Sequence, residues 1–262
     1  MSEPEAVLAS AVAAYRATLG PRLLAAYALG SLAHGGFNPL VSDIDVGLVL
    51  ADPLETGDAA TIEAVAAEQK RSGPELAERL SVFWGTHLTL SGKVEGGRFP
   101  PLDRLDLIAH GRLLAGTDAR AGLPQPSADE LLISGAEFAL GFLAGAPTTE
   151  ELRDPDLLIA RGVRRVTKLV LFPVRFMYTA ATAQIGTNDA AADWYRGVAR
   201  PLVSAARDWR ADGLDERTAL LHEQLVPLYR EYMDDHIERL RSRPDLASEF
   251  AAWREELSNA PG

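Results

Sequence analysis

The sequence predicts an α+β protein in which an N-terminal domain, a mixed sheet covered by helices, precedes an all-helical bundle. Short apolar runs that suit strands alternate with helical spacing as far as residue 116, and beyond that point strand signals nearly vanish. The polar stretch GTDARAGLPQPSAD, residues 116–129, contains the Gly and Pro residues typical of a linker. We place the boundary in this stretch, with domains 1–122 and 123–262.

The first half alternates helices and strands. Residues 5–19 are Ala-rich with apolar positions at helical spacing, and Gly20-Pro21 ends the pattern. The remaining predictions are strands at 23–29 and 43–50, helices at 59–71 and 74–80, one or two strands within 79–90, and a helix running into a short strand at 102–116.

The second half is expected to be helical throughout. Helical spacing covers residues 129–144, 149–183, 189–211, 215–241 and 244–257. Pro173 lies inside the second of these segments, and because proline lacks a backbone N–H we expect it to kink or break that helix.

Composition excludes several classes of function. The net charge of −11 is spread over both halves, which argues against bulk nucleic-acid binding and favours a cationic partner, although an ordinary acidic protein has the same balance. The absence of cysteine excludes disulfides, thiolate zinc sites and cysteine nucleophiles. The apolar runs are shorter than the roughly 20 residues of a membrane span, and the N-terminus is acidic, so we expect a cytoplasmic protein without a membrane partner.

Two acidic residues, Asp43 and Asp45, stand at the entrance of the predicted strand DIDVGLVL. Side chains alternate along a strand, so both carboxylates point to one face and repel each other. A divalent cation between them removes this conflict, and Mg²⁺ is typically held by one or two carboxylates together with substrate phosphates. The pair therefore predicts half of a magnesium-phosphate site.

Gly30 and Ser31 supply the other half. They follow the predicted strand LLAAYAL, where a glycine permits a tight turn, the next backbone N–H groups favour an anion, and the Ser31 hydroxyl can bond a phosphate oxygen. Taken alone, an Asp-x-Asp pair is often only a turn or cap, and a lone Gly-Ser is uninformative. Their combination between two strands favours a nucleoside triphosphate bound through both.

The segment GSLAHGGFNPLVSDIDVGLVL, residues 30–50, resembles the signature of the nucleotidyltransferase superfamily related to DNA polymerase beta. The segment LVLFPVRFMYTAATAQIGTNDAAADWY, residues 169–195, is similar to the helical domain of the aminoglycoside (streptomycin/spectinomycin) adenylyltransferases. The resemblance implies a nucleotidyltransferase domain, a helical domain and an active cleft between them. It further implies that Asp43 and Asp45 hold Mg²⁺ and ATP, that Arg175 faces the phosphates, and that a third carboxylate on a neighbouring strand completes the site.

The sequence departs from that pattern at two places. The strand expected to carry the third carboxylate reads Leu-Ser-Val-Phe-Trp at 80–84 and has no acid, while Asn188 stands where the related enzymes have a phosphate-binding lysine. The acids nearest to that strand are Glu78, Glu95, Asp103 and Asp106. Any of the four could fold into the cleft, although helical spacing puts the last two on one face, where solvated charge is the commoner explanation. A basic stripe of Lys168 and Arg175, with Arg161 and Arg164 nearby, suits either a triphosphate or a solvated edge.

These observations favour a Mg²⁺-dependent nucleotidyltransferase that moves AMP, or another NMP, from an NTP to a hydroxyl of a small cationic acceptor such as an aminoglycoside. Asp43 and Asp45 are the predicted catalytic and metal-binding residues, and Gly30, Ser31 and Arg175 the predicted nucleotide-binding ones. Two alternatives stay open. One is the same fold acting on a protein or an RNA, as toxin-like relatives do, and the other is a nucleotide-binding regulatory protein that has lost catalysis.

Overall fold

A computed structural model describes residues 1–258, which fall into two units, Met1–Pro126 and a second unit beginning at Ser127. The predicted α+β class is confirmed: the first unit combines a sheet with helices, and the described part of the second is helical. Each unit has its own hydrophobic core, and no buried cluster of the described residues draws on both.

The first unit contains four strands and five α-helices within residues 1–126. In chain order these elements are α1 Glu3–Leu19, β1 Leu23–Leu29, α2 Gly30–His34, β2 Ile44–Leu50, α3 Asp58–Ser72, β3 Leu80–Thr86, α4 His87–Leu90, α5 Pro101–His110 and β4 Arg112–Gly116. Short 3₁₀ turns precede β1 and β3. The region predicted as one or two strands at 79–90 is therefore one strand followed by a helical turn, which begins because the Thr86 hydroxyl accepts a hydrogen bond from the Thr89 backbone N–H.

The four strands form one mixed sheet in the order β3-β2-β1-β4. β1 is antiparallel to both β2 and β4, whereas β2 and β3 are parallel. One face packs against α1 and α3 through alternate residues such as Ile44, Val46 and Leu48. The opposite face carries Tyr27, Leu29 and Val49 and packs against α4 and α5.

The second unit contains eight α-helices within residues 127–258. They are α6 Ala128–Phe142, α7 Ala146–Arg153, α8 Pro155–Ala160, α9 Val163–Thr182, α10 Asn188–Trp194, α11 Arg200–Asp212, α12 Ala219–Arg239 and α13 Pro244–Ser258. Ser127 starts α6 with a capping box, in which its hydroxyl accepts from the Glu130 N–H and the Glu130 carboxylate accepts from the Ser127 N–H. The unit closes on a core that includes the fully buried Trp209, Tyr229 and Phe250.

Pro173 does not break its helix, because α9 runs continuously from Val163 to Thr182. In an α-helix the carbonyl of Leu169 would accept from the N–H of residue 173, which proline lacks. Here the buried hydroxyl of Tyr229, on α12, donates to the Leu169 carbonyl at 2.9 Å. The acceptor that Pro173 leaves is thus satisfied by a neighbouring helix.

The predicted helix 149–183 is divided at a different proline. Pro155 keeps Asp154 out of the α-helical region, at φ −120° and ψ 90°, and α7 ends there. The Asp154 carboxylate then accepts from the Asp156 N–H and caps α8. Gly162, at φ +84°, makes the second break before α9.

Over residues 1–258 no single helix combines the length and apolarity of a membrane span. One bent helix pair, Ala128–Phe142 with Ala146–Arg153, passes that test by length and composition alone, with an angle of 83° between its helices.

Candidate functional site

The Gly-Ser pair forms the junction between β1 and α2. Leu29 is extended, and Gly30 then takes φ +59°, a left-handed value that L side chains rarely adopt. Ser31 follows as the second residue of α2 and is partly exposed. The helix ends after one turn at Gly35, whose N–H donates to the Ser31 carbonyl.

The entrance to β2 is shaped by a turn between Asn38 and Ser42. The Asn38 N–H donates to the Ser42 hydroxyl at 3.0 Å, and the Ser42 N–H donates to the Asn38 carbonyl at 2.9 Å. Asp43 follows this turn directly and precedes the first strand residue, Ile44. Ser42, although polar, is 5% exposed, so the turn is part of the folded unit rather than a loose loop.

The two predicted halves of the site meet where Gly30 contacts Asp45. Asp45 pairs with Leu29 across the antiparallel strands, so its side chain lies beside the turn that follows Leu29. A Cβ atom added to Gly30 would lie 2.3 Å from Asp45 Oδ2, and Cβ atoms in proteins essentially never come that close to a non-bonded atom. The structure thus brings Gly30 and Asp45 together, with Ser31 and Asp43 as their chain neighbours.

The strand next to β2 carries no acid at this level of the sheet. Ser81 pairs with Asp45 in the parallel β2–β3 register, so the two side chains emerge from the same face. Glu78 and Glu95 are exposed, and Asp103 is half-buried on α5. The residue beside Asp45 on β3 therefore offers a hydroxyl instead of a carboxylate.

Asp106 differs from the sequence expectation of a solvated charge, since it is only 6% exposed. It lies on α5, and its Oδ2 accepts a hydrogen bond from the Gly30 N–H at 2.7 Å. Its Oδ1 lies 2.5 Å from Nε2 of His34, at the other end of α2. The helical spacing was read correctly as one face, but that face packs against the sheet and not against solvent.

The acids at 43 and 45 have the donor chemistry of a site shared between protein and substrate. Within residues 1–258, no set of three or more His, Cys, Asp or Glu side chains is arranged to hold a metal ion. Mg²⁺ often takes only one or two protein carboxylates and completes its shell with waters and substrate phosphates. A site of that kind needs no more than the two carboxylates at 43 and 45, and the Asp45 carboxylate occupies the space that a side chain at Gly30 would take.

A hydrogen-bonded contact of Tyr27 anchors the chain after β4 to the same sheet face. The Tyr27 hydroxyl donates to Asp118 at 2.9 Å and accepts from the Ala119 N–H at 2.7 Å. Burial raises the pKa of Tyr27 to about 12. Hydrogen bonds from Arg120 lower the pKa of the Asp118 carboxyl well below its usual range. The contact fixes β1 two residues before the Leu29–Gly30 turn.

Arg175, the predicted phosphate ligand of the helical half, lies on α9 in the second unit. Its Nε donates to the Gly186 carbonyl, and its guanidinium lies 5.6 Å from the centre of the Phe172 ring. Burial lowers the pKa of Arg210 on α11, and the positive charge of Arg175 lowers it further, while Asp189 opposes both.

No protein-family model and no curated protein sequence matches the chain. Its fold is similar to that of a solved structure. A crystal structure of a spectinomycin adenyltransferase from Enterococcus faecialis, with ATP and spectinomycin, aligns with a TM-score of 0.54 over 97% of this chain and 99% of that one. Sequence identity is 13%, so the likeness concerns the fold alone.

Sequence reasoning missed His34 as a member of the site and misjudged Asp106. Their contact joins positions 72 residues apart, and nothing in the local spacing of either residue indicates it. Arg161 does not belong to the predicted basic stripe on α9, because it lies outside that helix and its Nε donates to Glu151 at 3.1 Å.

Proposed function

We propose that the protein is a Mg²⁺-dependent nucleotidyltransferase that moves AMP from ATP to a hydroxyl of a small cationic acceptor. The observation that carries this proposal is the contact between Gly30 and Asp45, which joins a phosphate-binding type of turn to a pair of carboxylates on a nucleotidyltransferase-like fold. The neighbour's ATP supports the choice of nucleotide, and its spectinomycin supports a small-molecule acceptor. The net charge of −11 is consistent with a cationic one.

In this proposal each residue has a defined role. Asp43 and Asp45 hold the metal. Gly30 shapes the turn, and Ser31 binds phosphate oxygens through its backbone N–H and its hydroxyl. Arg175 is a further proposed phosphate ligand. The acceptor hydroxyl oxygen forms a bond to the α-phosphorus and its proton passes to water, while the bond from that phosphorus to the bridging oxygen breaks and pyrophosphate leaves. Bound Mg²⁺ would neutralise charge on the attacking and leaving oxygens.

The proposal is tested with the full-length chain, Mg²⁺ and ATP labelled at the α-phosphate. Incubation with a panel of aminoglycosides that includes spectinomycin and streptomycin is expected to release pyrophosphate and to transfer label to one acceptor. Asp43→Asn and Asp45→Asn should each weaken Mg²⁺-ATP binding by more than about tenfold, because a lost charged contact costs about 1.5–3 kcal/mol.

Glu63→Gln is the matched control, because it removes one exposed negative charge from α3 in the same unit. Binding that is unchanged in Asp43→Asn and Asp45→Asn, or reduced equally by Glu63→Gln, would refute the assignment of the metal site.

One observation favours a second candidate, a nucleotide-binding protein without transferase activity. Ser81 stands beside Asp45, where the resemblance implies a carboxylate. A general base typically contributes about 10²–10⁴-fold to a rate, so its loss slows transfer without removing the nucleotide site. Saturable Mg²⁺-ATP binding with no pyrophosphate release from any acceptor would favour this candidate. Under the first proposal, Ser81→Glu is expected to raise the rate.

A further inference from the structure

Asp106 connects α5 to both ends of α2 through its two carboxylate oxygens. Oδ2 accepts from the Gly30 N–H at 2.7 Å, and Oδ1 lies 2.5 Å from His34 Nε2. The aspartate is 6% exposed and the His34 side chain 14% exposed, so both contacts are largely shielded from water. A shielded carboxylate that accepts from a backbone N–H holds that backbone more firmly than a solvated one does.

The backbone that Asp106 holds is the one against which Asp45 lies. A Cβ on Gly30 would be 2.3 Å from Asp45 Oδ2, and the Gly30 N–H is bonded to Asp106. With standard backbone dimensions, the facing oxygens of the two carboxylates are no more than about 8 Å apart. A small rotation of Gly30 would therefore change the space beside Asp45 and the direction of Ser31 together.

We propose that Asp106 is the positioning residue of the Gly-Ser turn, and that it sets this turn for the triphosphate while His34 fixes the carboxylate. The inference rests on the proposed function for its triphosphate. Both oxygens of Asp106 are engaged by α2. In this proposal Asp106 acts through Gly30.

The nature of the contact predicts which substitution preserves function. In Asp106→Asn, the amide oxygen still accepts from the Gly30 N–H, whereas Asp106→Ala has no acceptor. A lost hydrogen bond at a buried site costs about 1–3 kcal/mol. We therefore expect Asp106→Ala to raise the dissociation constant for Mg²⁺-ATP by about tenfold or more, and Asp106→Asn to stay within about threefold of wild type.

A matched control is Asp58, another buried aspartate of the same unit. It is 4% exposed, and its Oδ2 accepts from the Glu55 N–H at 2.8 Å and from Arg22 at 2.6 Å, away from the Gly-Ser turn. Asp58→Ala is expected to lower the free energy of unfolding without changing Mg²⁺-ATP binding. A purely structural role of Asp106 would make the two alanine variants behave alike.

The experiment combines calorimetric titration with Mg²⁺-ATP and NMR measurement of the Gly30 amide in the full-length, nucleotide-free protein. Asp106→Ala is expected to increase Gly30 amide exchange about tenfold or more, and Asp106→Asn to restore most of its protection. If Asp106→Ala does not fold, His34→Ala, which frees the other oxygen, should also speed exchange at Gly30.

Two results would overturn the inference. One is unchanged Gly30 exchange in Asp106→Ala and His34→Ala, and the other is an Asp106→Asn that binds as weakly as Asp106→Ala while its Gly30 amide stays protected. A wild-type protein that binds no Mg²⁺-ATP refutes the proposed function instead. The role of Asp106 in fixing the turn is then decided by the Gly30 amide alone.

Discussion

Gly30 is the residue on which the candidate site depends most directly. It has φ +59°, and a Cβ there would lie 2.3 Å from Asp45 Oδ2. A methyl group would therefore meet both backbone strain and a carboxylate. Gly35, in the same short segment, has φ +79° but open space around it. An alanine at Gly35 therefore tests the left-handed backbone alone, whereas an alanine at Gly30 tests the same backbone strain together with a clash against Asp45.

We predict that Gly30→Ala abolishes measurable Mg²⁺-ATP binding, because the methyl group must displace Asp45 or the turn. Gly35→Ala should keep binding and lose only the strain energy of a left-handed non-glycine residue, about 1–3 kcal/mol. Calorimetric titration and urea unfolding of both variants measure the two effects. Equal binding by the two alanine variants would show that the Gly30–Asp45 contact has no role in nucleotide recognition.

The residues predicted from sequence and those missed differ in how far apart they lie along the chain. Gly30, Ser31, Asp43 and Asp45 lie within one strand-turn-strand segment, so strand alternation alone relates them. The contact between Asp106 and Gly30 spans 76 residues and depends on how α5 packs on the sheet. The local sequence pattern cannot reveal a side chain that reaches a site only through tertiary packing.

At the scale of helices, Pro155 and Pro173 show how far a rule based on local sequence reaches. Pro155 lies where a helix can end, and its effect on Asp154 follows from the local backbone. Pro173 lies in a helix whose missing hydrogen bond is replaced by Tyr229, 60 residues away from Leu169. A sequence rule that considers one helix by itself cannot include that partner.

We predict that Tyr229→Phe lowers the free energy of unfolding by about 1–3 kcal/mol, because the buried Leu169 carbonyl would lose its donor. Tyr178→Phe, on α9 itself, removes a hydroxyl that bonds Gln184 at an exposed position and should change stability by less than about 0.5 kcal/mol. Urea unfolding measures both. Pro173→Ala should lower the free energy of unfolding less in the Tyr229→Phe background than in wild type, since it restores a backbone N–H that can donate to Leu169. Equal losses in the two backgrounds would contradict the conclusion that the Tyr229 hydroxyl replaces the N–H missing at Pro173.

The segment after α11 supplies a pH-dependent contact. Asp215 accepts from the indole Nε1 of the buried Trp209 at 2.8 Å and is paired with Arg217. Hydrogen bonds from Arg217, and then from Trp209, lower the pKa of Asp215 to about 2. A carboxyl with a lowered pKa in the folded state stabilises the fold above its unfolded pKa, near 3.8, and this stabilisation is lost as the pH falls towards 2.

We therefore predict that Asp215→Asn is less stable than wild type at pH 5–7 and that the difference narrows between about pH 4 and pH 2. Asn still accepts from the Trp209 indole, so the variant removes the charge and keeps that hydrogen bond. Thermal unfolding at a series of pH values measures the difference. A gap that stays constant below pH 4 would show that the ionised carboxylate is not what stabilises this segment.

At the scale of the whole molecule, the fold tolerates extensive change in sequence. The chain shares 13% identity with an adenyltransferase whose fold it follows over 97% of its length. What the sequence must keep is the pattern: alternate apolar positions on β2, apolar spacing on the helices, and turns between them. This explains why the α+β class was predictable from periodicity. The identity of the acceptor and the presence of a third carboxylate were not predictable in this way, because they depend on single residues.

The two units close separate cores. Buried clusters around Ile44, Val46 and Leu48 on one sheet face, and around Tyr27 and Leu29 on the other, lie wholly within residues 1–126. The cluster around Trp209 and Tyr229 lies within residues 127–258. A chain of about 126 residues is long enough to bury a core of its own. Each unit therefore has the physical requirements of an independently folding domain.

We predict that a fragment of residues 1–126 folds alone, with mixed helix and strand signals in circular dichroism and a single cooperative unfolding transition. A fragment of residues 1–110 is the matched comparison, since it lacks β4, which pairs with β1, and the Asp118–Ala119 contact with Tyr27. Loss of that pairing exposes the edge of β1, so the shorter fragment should unfold at a lower urea concentration or aggregate.

If fragment 1–126 has no cooperative transition, its two buried clusters do not suffice to fold the unit. If both fragments are equally stable, β4 and its Tyr27 anchor contribute nothing to holding the strand that leads into the Gly-Ser turn.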